Sequence, residues 1–177
     1  MSDLPLGKDE LQRRLGQSAF IELLNLTVVS ADPAKQQLVM RAAMRPEFER
    51  GRGSGQWHGG PIAAIIDTAG DYALVMLLGR PLPTVNFRVD YLRPAIDTAL
   101  VVTATVRRCG RLVGVVDVDV ANEAGQLLAI GRATYATAAG FIGRPCQEGA
   151  DDRRLADGDI ARWRARAGAR PRHLAYG

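Results

Sequence analysis

Hydrophobic and polar positions alternate with a period of two through most of the second half of the chain. Four segments of strand length follow this pattern, at residues 84–93, 98–109, 112–121 and 126–137. Such alternation places apolar side chains on one face of a β-sheet. Tight turns at Gly110-Arg111 and at residues 122–125 separate the last three segments. The pattern therefore predicts four antiparallel strands in succession.

The first half of the chain predicts a hairpin that follows a short helix. Leu11 and Leu15 stand four positions apart, which favours a helix near the N-terminus. Residues 19–30 are mostly apolar and suit a strand, residues 32–35 suit a turn, and residues 37–44 suit the returning strand. Residues 45–57 have neither helical nor strand periodicity, which predicts a long loop. Loops of this length often have functional roles.

One segment between the two sets of strands has helical periodicity. Pro61 suits a first helical position, and Gly79 and Pro81 are stop signals, so we expect a helix over residues 61–78. Its apolar stripe consists of Ile62, Ile66, Ala69, Ala73 and Met76. Most of its other side chains are apolar too, which predicts burial on several sides. The order of elements predicts an α+β protein with the hotdog fold, a six-stranded antiparallel sheet wrapped around one long central helix.

Composition and charge divide the chain into a folded body and an extension. The protein has 177 residues, 47% of them hydrophobic, which predicts one domain over residues 1–139. Residues 140–177 lose the strand pattern and form an Arg-rich C-terminal extension. That extension contains eight arginines and five acidic residues, so it accounts for +3 of the net charge of +4. The folded body is nearly neutral, so nucleic-acid binding is not favoured.

Cysteine and histidine usage argues against a metal site. Cys109 and Cys146 are far apart, in no metal-type or redox-type spacing, and the chain has two histidines. With no secretory signal at the N-terminus, this usage fits a reducing compartment. We find no apolar run that approaches the ~20 residues needed to cross a bilayer. We therefore expect a soluble, cytoplasmic protein without membrane contact.

The segment from residue 57 to residue 67, WHGGPIAAIID, combines three features that suggest chemistry. Two glycines at a helix start leave backbone N–H groups uncovered at the positive end of the helix dipole, where an oxyanion can bind. Asp67 lies further along a largely buried helix, where a carboxylate is costly unless it has a task such as activating water. Singly, the glycines suit a plain turn, the aspartate an ion pair and the histidine a structural role. Their combination favours a catalytic site.

The string HGGPIAAIIDTAGDYA resembles the signature of the PaaI-type branch of the hotdog thioesterases. In that family an aspartate follows the histidine of HGG nine positions on, and His58 and Asp67 keep this spacing. Residues 85–95, VNFRVDYLRPA, resemble the next strand of the family, which ends in Pro-Ala. The resemblance spans roughly residues 19–138. It implies hydrolysis of an acyl-CoA thioester, with coenzyme A as part of the substrate and no separate cofactor.

The resemblance also implies roles for particular residues. Asp67 would be the base or nucleophile, and Thr84 would help to orient the water. The amide of Gly59 would polarise the thioester carbonyl, with Gly60 beside it and His58 shaping the turn. The site would straddle a subunit interface, so that Asp67 faces the Gly59 turn of the other subunit in a homodimer or a dimer of dimers.

Several polar residues are candidates for holding the coenzyme A part of the substrate. They are Asn86, Arg88, Arg93, Arg107 and Arg108. Guanidinium groups suit phosphates geometrically, although each arginine on its own also suits a solvated strand position.

The chain differs from the family pattern at one position, and at a second position the expected role does not fit the alternation of the strand. Some relatives have an asparagine six residues before the histidine, where this chain has Arg52. Thr84 shares its alternation face with Asn86 and Arg88, so the start of its strand must twist or bulge for Thr84 to reach the site.

Two other functions remain open from the sequence. The first is an acyl-CoA hydratase or dehydratase on the same fold, in which His58 would be catalytic. The second is a non-catalytic hotdog protein that binds acyl-CoA and passes the signal to a partner, which only the Arg-rich extension favours. The sequence does not distinguish an aryl-acetyl, short-chain or medium-chain acyl group.

Overall fold

A computed structural model of the chain describes residues 4–138. The predicted Arg-rich extension and the boundary at residue 139 lie outside the described residues. The helices are α1 (Lys8–Leu15), α2 (Ala19–Leu23) and α3 (Gly59–Leu78), with a 3-10 turn at Pro46–Phe48. The strands are β1 (Leu26–Asp32), β2 (Gln37–Ala42), β3 (Thr84–Tyr91), β4 (Leu100–Cys109), β5 (Val113–Asn122) and β6 (Leu127–Ala136).

The six strands form one sheet in the order β1-β2-β4-β5-β6-β3, and every neighbouring pair is antiparallel. β1 and β3 are therefore the two edges. Among the strands of residues 4–138, β3 pairs only with β6, the last strand along the chain, so the chain crosses to the far edge of the sheet before it forms β4 and β5. The predicted hotdog fold, a six-stranded antiparallel sheet around one long helix, is confirmed.

The central helix α3 packs against the inner face of the sheet. All five residues of the predicted apolar stripe are buried, and Ile65, Leu74 and Val75 on its other sides are buried as well. The helix lies very close to β6, because a Cβ added at Gly131 would be 2.5 Å from the side chain of Ile66. The predicted burial of α3 on several sides is therefore confirmed.

The start of α3 differs from the prediction. The helix begins at Gly59 with His58 as its N-cap, so Pro61 is the third helical residue rather than the first. The ring nitrogen of His58 accepts from the helix amide of Gly60, and this cap outweighs the preference of proline for the first position. The predicted end is confirmed, since Gly79 adopts a left-handed conformation with φ of 71°.

The first predicted strand was wrong in its N-terminal half. Residues 19–23 form the short helix α2, and β1 starts only at Leu26. The hydroxyl of Ser18 accepts a hydrogen bond from the amide of Ile21 at 3.4 Å, which caps the helix. Asn25, with φ of 54°, then turns the chain into the strand. An apolar run this short suits a helix or a strand equally well, and the cap decides between them.

The expectation that no apolar run is long enough to cross a bilayer was also wrong. By its length of 20 residues and its apolar composition, the helix Gly59–Leu78 could cross a bilayer. Most of the helix is buried inside the sheet, however, so it is the core helix of the fold.

Candidate active site

The N-terminal turn of α3 is shaped by His58. Its Nδ1 accepts a hydrogen bond from the Gly60 amide at 3.0 Å, and its own amide donates to the carbonyl of Phe48 at 2.7 Å. A neutral imidazole that accepts at Nδ1 has its proton on Nε2. His58 is exposed, so this second nitrogen can reach a bound molecule.

The preceding loop fixes the position of this turn. The side chain of Trp57 is buried and stacks on Phe48 with ring centroids 5.6 Å apart. Its Nε1 donates to the carbonyl of Thr98 at 2.9 Å, and its amide donates to the carbonyl of Ala95 at 2.9 Å. The part of the long loop that enters α3 is therefore anchored to the chain between β3 and β4.

Gly59 occupies a position where a side chain does not fit easily. A Cβ at this residue would lie 3.2 Å from the ring of Tyr91, whose hydroxyl donates to the Gly59 carbonyl at 2.7 Å. The amide of a first helical residue has no acceptor within its own helix. Gly59 lines an open cavity of about 580 Å³ together with His58, Tyr91, Arg50 and Arg93. A carbonyl oxygen in this cavity can approach the positive end of α3.

Asp67 lies further along α3, where its carboxylate meets the start of β3. The hydroxyl of Thr84 donates to Oδ1 of Asp67 at 3.0 Å. The pairing of β3 with β6 is irregular between Thr84 and Asn86, and this bulge lets Thr84 leave the face that it shares with Asn86 in a regular strand. The predicted bulge is therefore confirmed. One carboxylate oxygen is oriented by Thr84, and no side chain or amide of residues 4–138 donates to Oδ2, which can therefore accept from water.

The backbone beneath Asp67 is also held. The hydroxyl of Tyr135, on β6, donates to the Asp67 carbonyl at 2.7 Å, and burial raises the pKa of that hydroxyl. A Cβ at Gly70 would be 2.3 Å from the Tyr135 oxygen, so only glycine leaves room for this bond. Asp67 is half-buried and lines a cavity of about 540 Å³ whose other walls include Ala63, Ala64, Thr84 and Phe87.

A second carboxyl in the same cavity was missed from the sequence. Asp71 is one helical turn beyond Asp67 and accepts a hydrogen bond from the amide of Leu82 at 3.2 Å. Burial raises the pKa of Asp71 to about 7, and the nearby charge of Asp67 adds to this effect. The signal available in the sequence was a second aspartate four residues after the first, on the same side of an apolar helix.

Gly59 and Asp67 lie in different cavities of one protomer. They are eight residues apart on α3, which corresponds to about 12 Å along the helix axis. The tilt of side chains toward the helix N-terminus shortens this gap only in part. An amide and a carboxylate that act on the same carbonyl must lie within hydrogen-bond reach of it. One protomer alone does not bring these two groups together.

The other predicted substrate-binding residues are divided between two places. Arg93 lines the Gly59 cavity and donates to the carbonyl of Leu127 at 2.9 Å. Asn86, Arg88 and Arg107 line a separate cavity of about 440 Å³ on the outer face of the sheet. Neither Asp67 nor Gly59 lines that cavity, so the structure does not bring these three residues to either group.

Both candidate arginines in the outer cavity already have an acidic partner. Arg88 pairs with Asp90 at 2.8 Å, and Arg107 pairs with Asp117 at 2.8 Å. Arg108, the other arginine considered for phosphates, lines none of these three cavities.

The arginine of the loop that does line the Gly59 cavity is Arg50, which the sequence reasoning missed. Arg52, the residue at the family's asparagine position, is exposed and lines neither the Gly59 cavity nor the Asp67 cavity. Within residues 4–138, no three His, Cys, Asp or Glu side chains cluster in a way that could hold a metal ion.

Known proteins resemble this chain in sequence and in fold. Residues 54–129 match the thioesterase superfamily. A Halobacterium salinarum protein named as an esterase is 37% identical over 122 residues, which are 64% of this chain and 77% of that protein. A solved structure from the thioesterase superfamily is 31% identical with a TM-score of 0.68, over 73% of this chain and 96% of the other.

The E. coli PaaI protein from the phenylacetic acid degradation operon has the same fold. It is 23% identical with a TM-score of 0.61, over 73% of this chain and 96% of the other. The predicted resemblance to the hotdog thioesterases, with PaaI among the structural neighbours, is therefore confirmed. The chain belongs to the thioesterase superfamily.

Proposed function

We propose that the protein hydrolyses an acyl-CoA thioester to a free acid and coenzyme A, with Asp67 as its catalytic carboxylate. The observation that supports this most strongly is the bond between Thr84 and Asp67 on the wall of an open cavity. A half-buried carboxylate with one oxygen oriented by a hydroxyl is suited to hold a water molecule with the other. Membership of the thioesterase superfamily supports thioester hydrolysis in general.

In the general-base form of the reaction, Asp67 takes a proton from water as the water oxygen attacks the thioester carbonyl. The carbonyl oxygen becomes an oxyanion and accepts from the Gly59 amide at the positive end of α3. The C–S bond then breaks, and the thiolate of coenzyme A leaves with the bonding electron pair and takes up a proton.

In the nucleophilic form, Asp67 itself attacks the carbonyl, and the thiolate leaves from a mixed anhydride. Water then hydrolyses that anhydride and regenerates the carboxylate. The two forms use the same residues. Single-turnover hydrolysis in ¹⁸O-labelled water detects the nucleophilic form when water attacks the Asp67 carbonyl of the anhydride, because only that route places the label in the Asp67 side chain.

We propose further that each site is formed by two protomers. The separation of about 12 Å along α3 keeps the Gly59 amide and the Asp67 carboxylate of one chain from acting on the same carbonyl. A two-fold axis beside β3 would place the Gly59 cavity of one protomer against the Asp67 cavity of its partner. Oligomers with two-fold symmetry make such reciprocal contacts by necessity.

The Gly59 cavity also has the charge that coenzyme A requires. Arg50 and Arg93 line it, and both are exposed side chains with guanidinium groups that suit phosphate oxygens. We therefore assign the phosphate end of the substrate to this cavity, beside the helix amide. The acyl group would then extend toward the partner's Asp67 cavity, whose walls include Phe87, Ala63 and Ala64.

The test is to measure thiol release from a panel of acyl-CoAs by the wild type and by Asp67→Asn. Asparagine is nearly isosteric, so we expect normal folding and a rate lower by about 10²–10⁴-fold, the usual value of a general base. Asp119→Asn is the control, since Asp119 is an exposed aspartate on β5 that faces the outer cavity. An Asp67→Asn rate within about threefold of wild type would remove Asp67 from the mechanism.

A further inference from the structure

The segment that joins α3 to β3 has an unusual backbone. Its last three residues are Pro81-Leu82-Pro83, directly before Thr84. Proline has no amide hydrogen, so the amide of Leu82 is the one backbone donor of these three residues. Proline also fixes φ near −65°, which makes the segment stiff. A contact at Leu82 therefore determines where the chain enters β3.

The amide of Leu82 donates to Oδ1 of Asp71, at 3.2 Å. Asp71 lies on the wall of the Asp67 cavity, and it also lines a smaller cavity beneath α2, together with Ser18 and Ile21. The mechanism proposed above gives Asp71 no task, although an aspartate beside another aspartate in a largely apolar wall is costly. Its bond to Leu82 is the contact that explains this position.

Two further contacts complete the hold on this segment. The side chain of Leu82 is buried in the core, and the carbonyl of Pro83 accepts from the amide of Ala136 on β6 at 2.9 Å. These two contacts hold residues 81–83 to the core and the sheet, whereas the bond to Asp71 holds the same residues to α3. Thr84 begins β3 at the bulge and donates to Asp67. The distance between Thr84 and Asp67 therefore depends on how closely the segment is held to the helix.

We infer that Asp71 is a positioning residue, which holds the Leu82 amide to α3 and so places the Thr84 hydroxyl against the catalytic carboxylate of Asp67. This inference rests on the proposed function. Asp71 acts through Leu82 and Thr84, two residues apart in the chain, and takes no proton from the reacting water.

The role of Asp71 depends on its oxygen as an acceptor and not on its charge. Burial and the charge of Asp67 raise the pKa of Asp71 to about 7, so both protonation states are populated near neutrality. The other titratable groups close to it are Arg14 on α1, Tyr72 on α3 and Tyr135 on β6. A protonated carboxyl still accepts through its carbonyl oxygen, and so does the side-chain amide of asparagine.

This distinction gives a matched pair of variants. Asp71→Asn keeps the acceptor and removes the charge, whereas Asp71→Leu has a similar shape and removes both. Both Asp71 variants are made in the wild-type protein and in Thr84→Val, which lacks the hydroxyl that contacts Asp67. They are also made in Thr84→Ser, which keeps a hydroxyl at this position. The kcat and KM for an acyl-CoA are measured for every combination, with Asp67→Asn in the same assay.

We expect Thr84→Val to lower kcat roughly tenfold, the effect of losing one hydrogen bond to a charged group. Asp71→Leu should lower kcat about three- to tenfold with little change in KM, because a small displacement of an orienting group slows the chemical step. Asp71→Asn should stay within about twofold of wild type. In the Thr84→Val background Asp71→Leu should have no further effect, because the hydroxyl that it positions is absent. Thr84→Ser should restore the dependence on Asp71.

Two results would overturn the inference. Losses from Asp71→Leu and Thr84→Val that multiply would show that Asp71 acts independently of the hydroxyl. An Asp71→Asn variant as slow as Asp71→Leu would show that its charge, and not its acceptor oxygen, is what matters. Failure of the proposed function gives a different result, because Asp67→Asn would then retain the wild-type rate whatever the Asp71 variants do.

Discussion

The two edges of the sheet are finished in different ways. At β1 the helix α1 lies along the strand, with Leu11 and Leu15 buried beneath it. The side chain of Gln12 forms hydrogen bonds with the backbone groups of this edge, as a neighbouring strand would. It donates to the carbonyl of Leu26 at 3.1 Å and accepts from the amide of Val28 at 2.7 Å. This edge is closed by the chain's own residues.

The β3 edge has no such cover within residues 4–138. Three large apolar side chains of this strand are exposed, Val85 at 50%, Phe87 at 41% and Tyr91 at 53%. An apolar edge strand invites pairing with another chain unless it is blocked. The same strand contributes Thr84 and Phe87 to the Asp67 cavity and Tyr91 to the Gly59 cavity. Within residues 4–138, the β1 edge, which lines neither cavity of the candidate site, is therefore covered, whereas the β3 edge, which lines both, is exposed.

One pair of valines tests this difference directly. Val29 on β1 and Val85 on β3 both lie at a register irregularity of an edge strand, and they are 47% and 50% exposed. We expect Val85→Lys to give a monomer that stays folded but loses activity about 100-fold, because like charges would meet across the proposed two-fold axis. Val29→Lys should change neither the oligomeric state nor the rate. Sedimentation velocity and a thioesterase assay measure both properties.

A Val85→Lys protein that remains dimeric and active would mean that β3 is not the interface. If both lysine variants lose activity equally, the exposure of β3 has no special role in activity.

The pH dependence of stability should reflect the carboxyl that holds the strand of the open edge. The pKa of Asp71 is raised from its ordinary 3.8 to about 7. A carboxyl shifted upward on folding contributes stability that is fully present below its unfolded pKa and is lost as the pH rises through its folded pKa. Asp71→Asn should therefore gain stability over wild type between pH 5 and pH 8, by on the order of 1–3 kcal/mol. Thermal unfolding of both proteins at the two pH values checks this, and a difference that does not change with pH contradicts it.

The smallest effect is expected at the closed edge. Gln12→Met keeps the length of the side chain but removes both hydrogen bonds to β1. Because water can reach this edge, the free energy of unfolding should fall by only about 1 kcal/mol. Activity and oligomeric state should not change. Chemical denaturation measures the loss, and a drop in the specific activity of the folded protein would show that this edge also affects the site.

The sequence predicted the parts of the fold that depend on long periodic segments. The four strands after the helix are each placed within two residues of their true ends, because each is a long segment in which apolar and polar positions alternate. The helix α2 was mistaken for strand because its five residues are too few to establish a period. The cover that α1 gives to β1 depends on the side chain of Gln12, which periodicity does not reveal.

The same division applies to the site. His58, Gly59 and Asp67 lie in one contiguous motif, so the sequence and its family resemblance were enough to make them candidates. The contact between Thr84 and Asp67 needed the bulge in β3, which the alternation of that strand required before the structure showed it. Tyr91, Arg50 and Asp71 were missed, because their importance comes from contacts between segments distant in the sequence.

We propose that a working site takes Asp67 from one protomer and Gly59 from its partner. The most direct measurement mixes Asp67→Asn with Gly59→Val, a side chain that the Tyr91 ring excludes, after each is shown to be inactive alone. With random association half of the dimers are mixed, and each mixed dimer has one intact site of two, so the account predicts recovery to about a quarter of the wild-type activity. If mixed dimers form, as native mass spectrometry would show, and no activity returns, the shared site is wrong.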